Sequence, residues 1–252
     1  MTLNIKTNTA PLAPRLTIYG RPGTGKSYLA ASFPKPIFLL TEEPGTEGPL
    51  RGISMTDVAK TYDEFKDNVA GLIELFAEAI KNKNELPFET IVVDTISRLD
   101  ALIIKHIMNK EPVNKFGAKP ESFNQCVGGY NGPYFAAQAL HEEIKAQLDR
   151  LQRIGVTVIY LAHAGVANRK PPDSPDYQVI SLDMNHDFSR NLYINQVEAA
   201  LYIKQEMVII DKEPDNKRNK KKIVMGGSNR VILTSDNAAI DCKHRFERMP
   251  SE

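Results

Sequence analysis

Residues 16–27, LTIYGRPGTGKS, decide the fold. A short apolar, β-rich run leads directly into Gly20-Arg21-Pro22-Gly23-Thr24-Gly25-Lys26-Ser27, the G-x-x-x-x-G-K-[ST] spacing of a phosphate loop, and the helix-forming run SYLAASF follows. Each residue type answers a chemical need. The glycines let backbone N–H groups converge on a β-phosphate, Lys26 reaches the β- and γ-oxygens, and the Ser27 hydroxyl suits Mg²⁺. The N-terminus of the following helix adds partial positive charge. Gly20 to Ser27, with Tyr28 next to them, form the expected cradle for ATP and Mg²⁺.

Working outward, residues 1–15 are polar, carry Pro11 and Pro14, and lack the apolar core of a signal peptide. They read as an arm, and residues 16–252 as a single α/β domain of ordinary size. No apolar stretch is long enough to span a bilayer, so the expectation is a soluble, cytoplasmic protein with no membrane partner. Two cysteines, Cys126 and Cys242, have no Cys or His spacing that suits zinc. The 32 basic and 31 acidic residues nearly cancel, so any contact with nucleic acid must rest on local patches.

Strand and helix patterns alternate after the phosphate loop. Pro34 and Pro36 stop the first helix, and IFLL (37–40) reads as a buried strand. Thr61 and Glu64 make a capping box before a helix whose apolar positions are Tyr62, Phe65, Val69, Leu72, Phe76 and Ile80. TIVVDT (90–95) is the next strand, followed by a helix over 96–109, a glycine-rich loop over 126–134, a long helix over 135–153 and the strand VTVIYLAH (156–163). This order predicts βαβ units and a mainly parallel sheet flanked by helices. A polar loop (168–178), a short helix (189–196) and four β-rich segments come after it, and the last segments predict an antiparallel hairpin extension.

Asp94 ends an apolar strand, where a carboxylate can hold the water shell of Mg²⁺ together with Ser27. Thr95 follows it, so the water-orienting glutamate of many ATPases is missing from that position. Glu42, at the end of the preceding strand, is the candidate for that role, with Glu43 as the alternative.

A phosphate loop, a glutamate after the second strand, VVDT and a polar strand end at His163 together resemble the RecA-type ATPase core. More narrowly, the chain resembles the short phage RecA-like proteins, which include ATP-dependent single-strand annealing proteins of recombination. The shared features are Gly129-Tyr130-Asn131-Gly132-Pro133-Tyr134, Ala162-His163 and Cys242-Lys243-His244-Arg245. Cys242 departs from the usual small residue, and TEEPG from the usual tighter turn. The resemblance implies a RecA-type fold, slow ATP hydrolysis, and His163 as the group that senses the γ-phosphate. It further implies that Lys243 and Arg245 reach a neighbour's nucleotide within a homo-oligomeric ring or filament, although a solvated strand explains that spacing equally.

The implied partners are single-stranded DNA and a single-stranded DNA-binding protein, in the cytoplasm of an infected bacterial host. Tyr130 and Tyr134 offer stacking surfaces and Asn168, Arg169 and Lys170 offer phosphate donors. Core packing is the other reading of Tyr130. The basic run Lys217, Arg218, Lys220, Lys221 and Lys222 reads either as a solvated hairpin tip or as a DNA contact. Two rival functions remain at this level: a phage replication motor or loader, and a small-molecule or nucleotide kinase. A kinase needs several arginines in a lid near the phosphates, and the loop after His163 has only Arg169 and Arg190.

Overall fold

The sheet is laid out in the order β3-β2-β4-β5-β1-β7-β8, with β6 paired to the far end of β5 and β9 to the start of β7. The computed structural model describes residues 12–45, 48–110, 117–173, 175–211 and 222–252, and for 207–211 and 222–228 the backbone alone. Its strands are β1 (Arg15–Gly20), β2 (Pro36–Leu40), β3 (Ser54–Met55), β4 (Thr90–Asp94), β5 (Thr157–Arg169), β6 (Tyr177–Leu182), β7 (Ala199–Asp211), β8 (Lys222–Leu233) and β9 (Lys243–His244). Its α-helices are α1 (Lys26–Ala31), α2 (Tyr62–Lys81), α3 (Ile96–Lys110), α4 (Gly132–Leu151) and α5 (Asp187–Asn195). Pairings β3-β2, β2-β4, β4-β5, β5-β1 and β1-β7 are parallel, whereas β5-β6, β7-β8 and β7-β9 are antiparallel. The expected α/β architecture, a mainly parallel sheet with an antiparallel extension, is the observed one.

Successive strand residues point to opposite faces, and here both faces are covered. Leu16, Ile18, Phe38, Leu40, Val92, Ile159, Leu161 and Leu201 pack on one side with Ala30 of α1. Tyr19, Leu39, Ile91, Val93, Val158, Tyr160, Ala162 and Tyr202 pack on the other, against α2, α3, α4 and α5. The continuous apolar runs of the central strands are the signature of that double burial.

Helix α2 starts where the capping box puts it. The Thr61 side chain accepts a hydrogen bond from Glu64 N at 3.1 Å, while the Glu64 carboxylate takes Lys60 N at 2.7 Å. Ile80, expected on its apolar face, is half exposed in the last turn. Polar links tie the helices together: His141 of α4 bridges Asp100 of α3 and Tyr193 of α5, at 2.9 and 3.0 Å.

Arg15, assigned to the arm by sequence, opens β1. Its guanidinium meets Glu198 at 2.7 Å and Asp149 at 3.0 Å, locking β1 to the start of β7 and to α4. Residues 1–11 of the expected arm lie outside the described residues. The largest difference is β5, which runs on past His163 to Arg169 and pairs with β6, so that much of the expected polar loop is a hairpin. Helix α4 begins three residues early at Gly132, with Pro133 in the first turn, where a missing N–H costs nothing.

Candidate active site

Parallel strands bring their C-terminal ends to one edge of the sheet, and there the predicted nucleotide residues meet. Gly20 is level with His163 on β5, and Asp94 on β4 with Leu40 on β2 and Leu161 on β5. Strand β5 thus stands between the phosphate loop and Asp94.

Glycine is sterically required in the loop. A Cβ on Gly20 would stand 2.3 Å from the Ile203 carbonyl oxygen, and Gly25 has φ of 94°, a left-handed conformation disfavoured for other residues. Buried Lys26 donates from Nζ to the carbonyls of Gly20 at 3.0 Å and Arg21 at 3.1 Å. Burial lowers the pKa of this ammonium, with Asp94 and Glu42 pulling the other way. An anionic phosphate would restore what burial removes.

The Ser27 hydroxyl donates to Asp94 Oδ2 at 2.8 Å. Burial raises the Asp94 carboxyl pKa, the Ser27 hydrogen bond opposes that rise, and the charge of Glu42 adds to it. A buried carboxylate beside a hydroxyl is a hard-oxygen donor pair that fits Mg²⁺, which takes its remaining ligands from water and phosphate. Among the described residues, no three His, Cys, Asp or Glu side chains group as a complete metal cage.

Thr41 sets the position of Glu42. Its hydroxyl accepts from Thr95 N at 2.8 Å and donates to Thr95 O at 2.9 Å, tying the end of β2 to the end of β4. Glu42 faces His163, whose Nε2 lies 3.1 and 3.2 Å from the two carboxylate oxygens, while Glu43 is exposed. The other ring nitrogen, Nδ1, is buried without a partner among the described residues, so the imidazole proton belongs on Nε2, donated to Glu42. That hydrogen bond, against the effect of burial and helped by the charges of Lys26 and Arg98, holds the Glu42 carboxyl below its ordinary range. Glu42 is therefore ionised at neutral pH and able to accept a proton.

His163 is itself fixed at both ends of its backbone: its N–H donates to Ser97 Oγ at 3.0 Å, and its carbonyl accepts from Asp183 N at 2.8 Å.

A family model for AAA domains, AAA_24, matches residues 12–246. The chain belongs to this AAA domain family. No curated protein matches it. Among solved structures, it is similar to a chain described as a prototypical ATPase from the type III secretion system of pathogenic bacteria. The identity is 12% and the TM-score 0.44, over 77% of this chain and 51% of that one, so the chain spans about half the length of that ATPase.

Elsewhere in this AAA domain, the candidate DNA residues fall into two groups. Tyr130 is 90% exposed and has φ of 53°, beside Val127 at 49°, an uncommon conformation for a tyrosine and an outlier for a β-branched residue. Tyr134 is engaged: its hydroxyl donates to Asn124 at 2.6 Å, and its ring stacks on His186 at 4.3 Å. On the β5-β6 hairpin Asn168 and Lys170 are exposed, while Arg169 is paired with Asp187 and Asp241. Arg190 is buried and donates to the Leu182 and Met184 carbonyls, so both arginines of an imagined kinase lid are already committed.

Lys243 and Arg245 both donate to the Asn195 carbonyl, at 2.6 and 3.1 Å. Lys243 is level with Ala200 of β7, which is level with Thr17 of β1, three residues below the phosphate loop. The basic run Lys217–Lys221 and the Lys222 side chain lie outside the described residues. Sequence reasoning missed Thr41, Ser97 and Arg230, the last of which reaches the phosphate loop from β8. A cavity of about 540 Å³ lies between Arg21, Tyr202 and Lys204. Its lining lacks Lys26, Ser27, Asp94 and Glu42, so the chemistry is assigned to the side of the loop that carries those residues. Among the described residues no helix is long and apolar enough to cross a membrane.

Proposed function

We propose that this AAA domain is an ATP- and Mg²⁺-dependent ATPase that binds single-stranded DNA as a homo-oligomer and serves phage recombination or strand annealing. Its setting would be the cytoplasm of an infected bacterial host. The observation that carries the reading is the double engagement of His163. Its ring holds Glu42, and its carbonyl holds Asp183, from which the chain runs in three residues to His186, stacked on Tyr134. A γ-phosphate that competes for either partner of the Glu42–His163 pair would thus act on the β5-β6 hairpin and on the glycine-tyrosine loop. That contiguity is a physical route, and its coupling has to be measured.

In hydrolysis Glu42 takes the proton of the water that attacks the γ-phosphorus, and Lys26 neutralises charge on the β- and γ-oxygens as the bridging P–O bond breaks. Mg²⁺ held near Ser27 and Asp94 would supply further charge neutralisation on the phosphate oxygens. Along the strand direction Lys243 lies roughly 10 Å below its own phosphate loop and Arg245 roughly 16 Å below it, which favours a role toward a neighbouring subunit. The resemblance to phage RecA-like proteins supports the annealing context, and the commitment of Arg169 and Arg190 weighs against a kinase.

Fluorescence anisotropy with labelled oligonucleotides tests the reading. Single-stranded DNA should bind more tightly with ATP and Mg²⁺ than without, and more tightly than duplex. Tyr130→Ala should remove about 1–3 kcal/mol. Equal affinity for single and double strands, or no binding at low salt, overturns it. ATPase activity without any DNA binding would favour a motor or loader that acts on DNA indirectly.

A further inference from the structure

Strand β8 returns over the phosphate loop on the face that carries α1, and Arg230 is the residue that arrives there. A methyl group in place of the Gly25 hydrogen would stand 2.7 Å from Arg230 Nη1 and 3.0 Å from its Cζ, so the guanidinium lies directly on the loop. Arg230 shares a cavity of about 390 Å³ with Lys26, Ser27, Tyr28 and Leu50. No carboxylate pairs with it among the described residues. The nearest acidic residue across the ladder, Glu206, accepts a hydrogen bond from Asn229 at 3.1 Å instead. An exposed, unpaired guanidinium facing a loop built to hold phosphates is a fork of donors aimed at an anion site.

The side of approach decides which phosphates it can serve. Asp94, Glu42 and His163 stand on the β2-β4-β5 side of β1, where hydrolysis of the γ-phosphate is assigned. Arg230 comes from the β7-β8 side, opposite to them. We propose that Arg230 is a nucleotide-binding residue that closes over the phosphate loop and contacts the α- and β-phosphates, the part shared by ADP and ATP. The proposal rests on the nucleotide-site reading of the loop. It also gives the glycine at position 25 a second cause, because any side chain there would displace the guanidinium.

Titration of a fluorescent ADP analogue into wild-type protein, Arg230→Gln, Arg230→Lys and Lys26→Ala tests it without any turnover. Because Arg230 is exposed, Arg230→Gln should keep the wild-type melting temperature. ADP affinity should fall about 10- to 100-fold in Arg230→Gln, by the same factor for a non-hydrolysable ATP analogue, and recover in part in Arg230→Lys. Unchanged ADP affinity in Arg230→Gln, or a loss confined to the ATP analogue, overturns the proposal while the nucleotide site stands. Wild-type protein that binds ADP no better than Lys26→Ala overturns the nucleotide-site reading and the proposal with it.

Discussion

The two halves of the sheet do different work. From β2 through β4 and β5 to β1 the strands are parallel, apolar on both faces and aligned so that Glu42, Asp94, His163 and the phosphate loop share one edge. From β7 to β8 and β9 the ladder is antiparallel, the register shifts between Gln205 and Met207, and basic side chains such as Arg230 and Arg245 are exposed. In a sheet packed on both faces a slip of one residue would exchange every side chain between two differently shaped cores, so the register is fixed, which suits groups that must hold fixed distances. The antiparallel half is free to offer cations to ligands. The comparison therefore assigns fixed chemistry to one half and adjustable charge to the other.

The largest effect should follow from removing the base in the fixed half. Glu42→Gln should lower ATP turnover by about 10²- to 10⁴-fold while nucleotide still binds, read by a coupled phosphate-release assay beside a binding titration. A larger loss in Glu43→Gln would move the base by one residue, onto a side chain that is exposed. Lys26→Ala should weaken ATP binding by more than about tenfold, since it removes a charged donor to phosphate. Calorimetry that finds its affinity intact would separate the loop from the nucleotide.

The junction between the halves is sensitive to pH. Burial alone would raise the Glu198 carboxyl, but the hydrogen bonds from Arg15 override it and hold the pKa below its ordinary 4.5. Because the folded value is depressed, the stabilisation is complete well above pH 4.5 and is lost as pH falls through the lower folded value. Glu198→Gln should cost about 1.5–3 kcal/mol at pH 7 and much less once the pH has fallen below the depressed folded value. Urea denaturation at both pH values checks this, and an equal cost at the two would make the contact one of packing.

Much of the fixed half was legible because its signals are local. The glycine spacing of 20–27, the apolar run before Asp94 and the Thr61–Glu64 cap each depend on a few adjacent residues. Glu42 could be placed because parallel strands end at one edge, so the residue after the second strand must lie near the residue that ends the third. The continuation of β5 past His163 was not legible, since Val166 is exposed and Ala167 buried in a stretch that leads into polar residues and resembles a loop. Thr41 and Ser97 were missed because hydroxyl groups that bind backbone leave no pattern in the sequence. Arg230 lies about two hundred residues from the glycine it covers, and only the path of β8 joins them.

The coupling of the site to DNA is the central claim, and one comparison tests it most directly. Anisotropy of a labelled single-stranded oligonucleotide, with a non-hydrolysable ATP analogue and then with ADP, gives the ratio of two affinities for wild-type protein and for His163→Ala. The account predicts a ratio of about tenfold or more in wild-type protein, within the usual 1–3 kcal/mol of coupling, falling toward one in His163→Ala although the ATP analogue still binds. A ratio preserved in His163→Ala would contradict it.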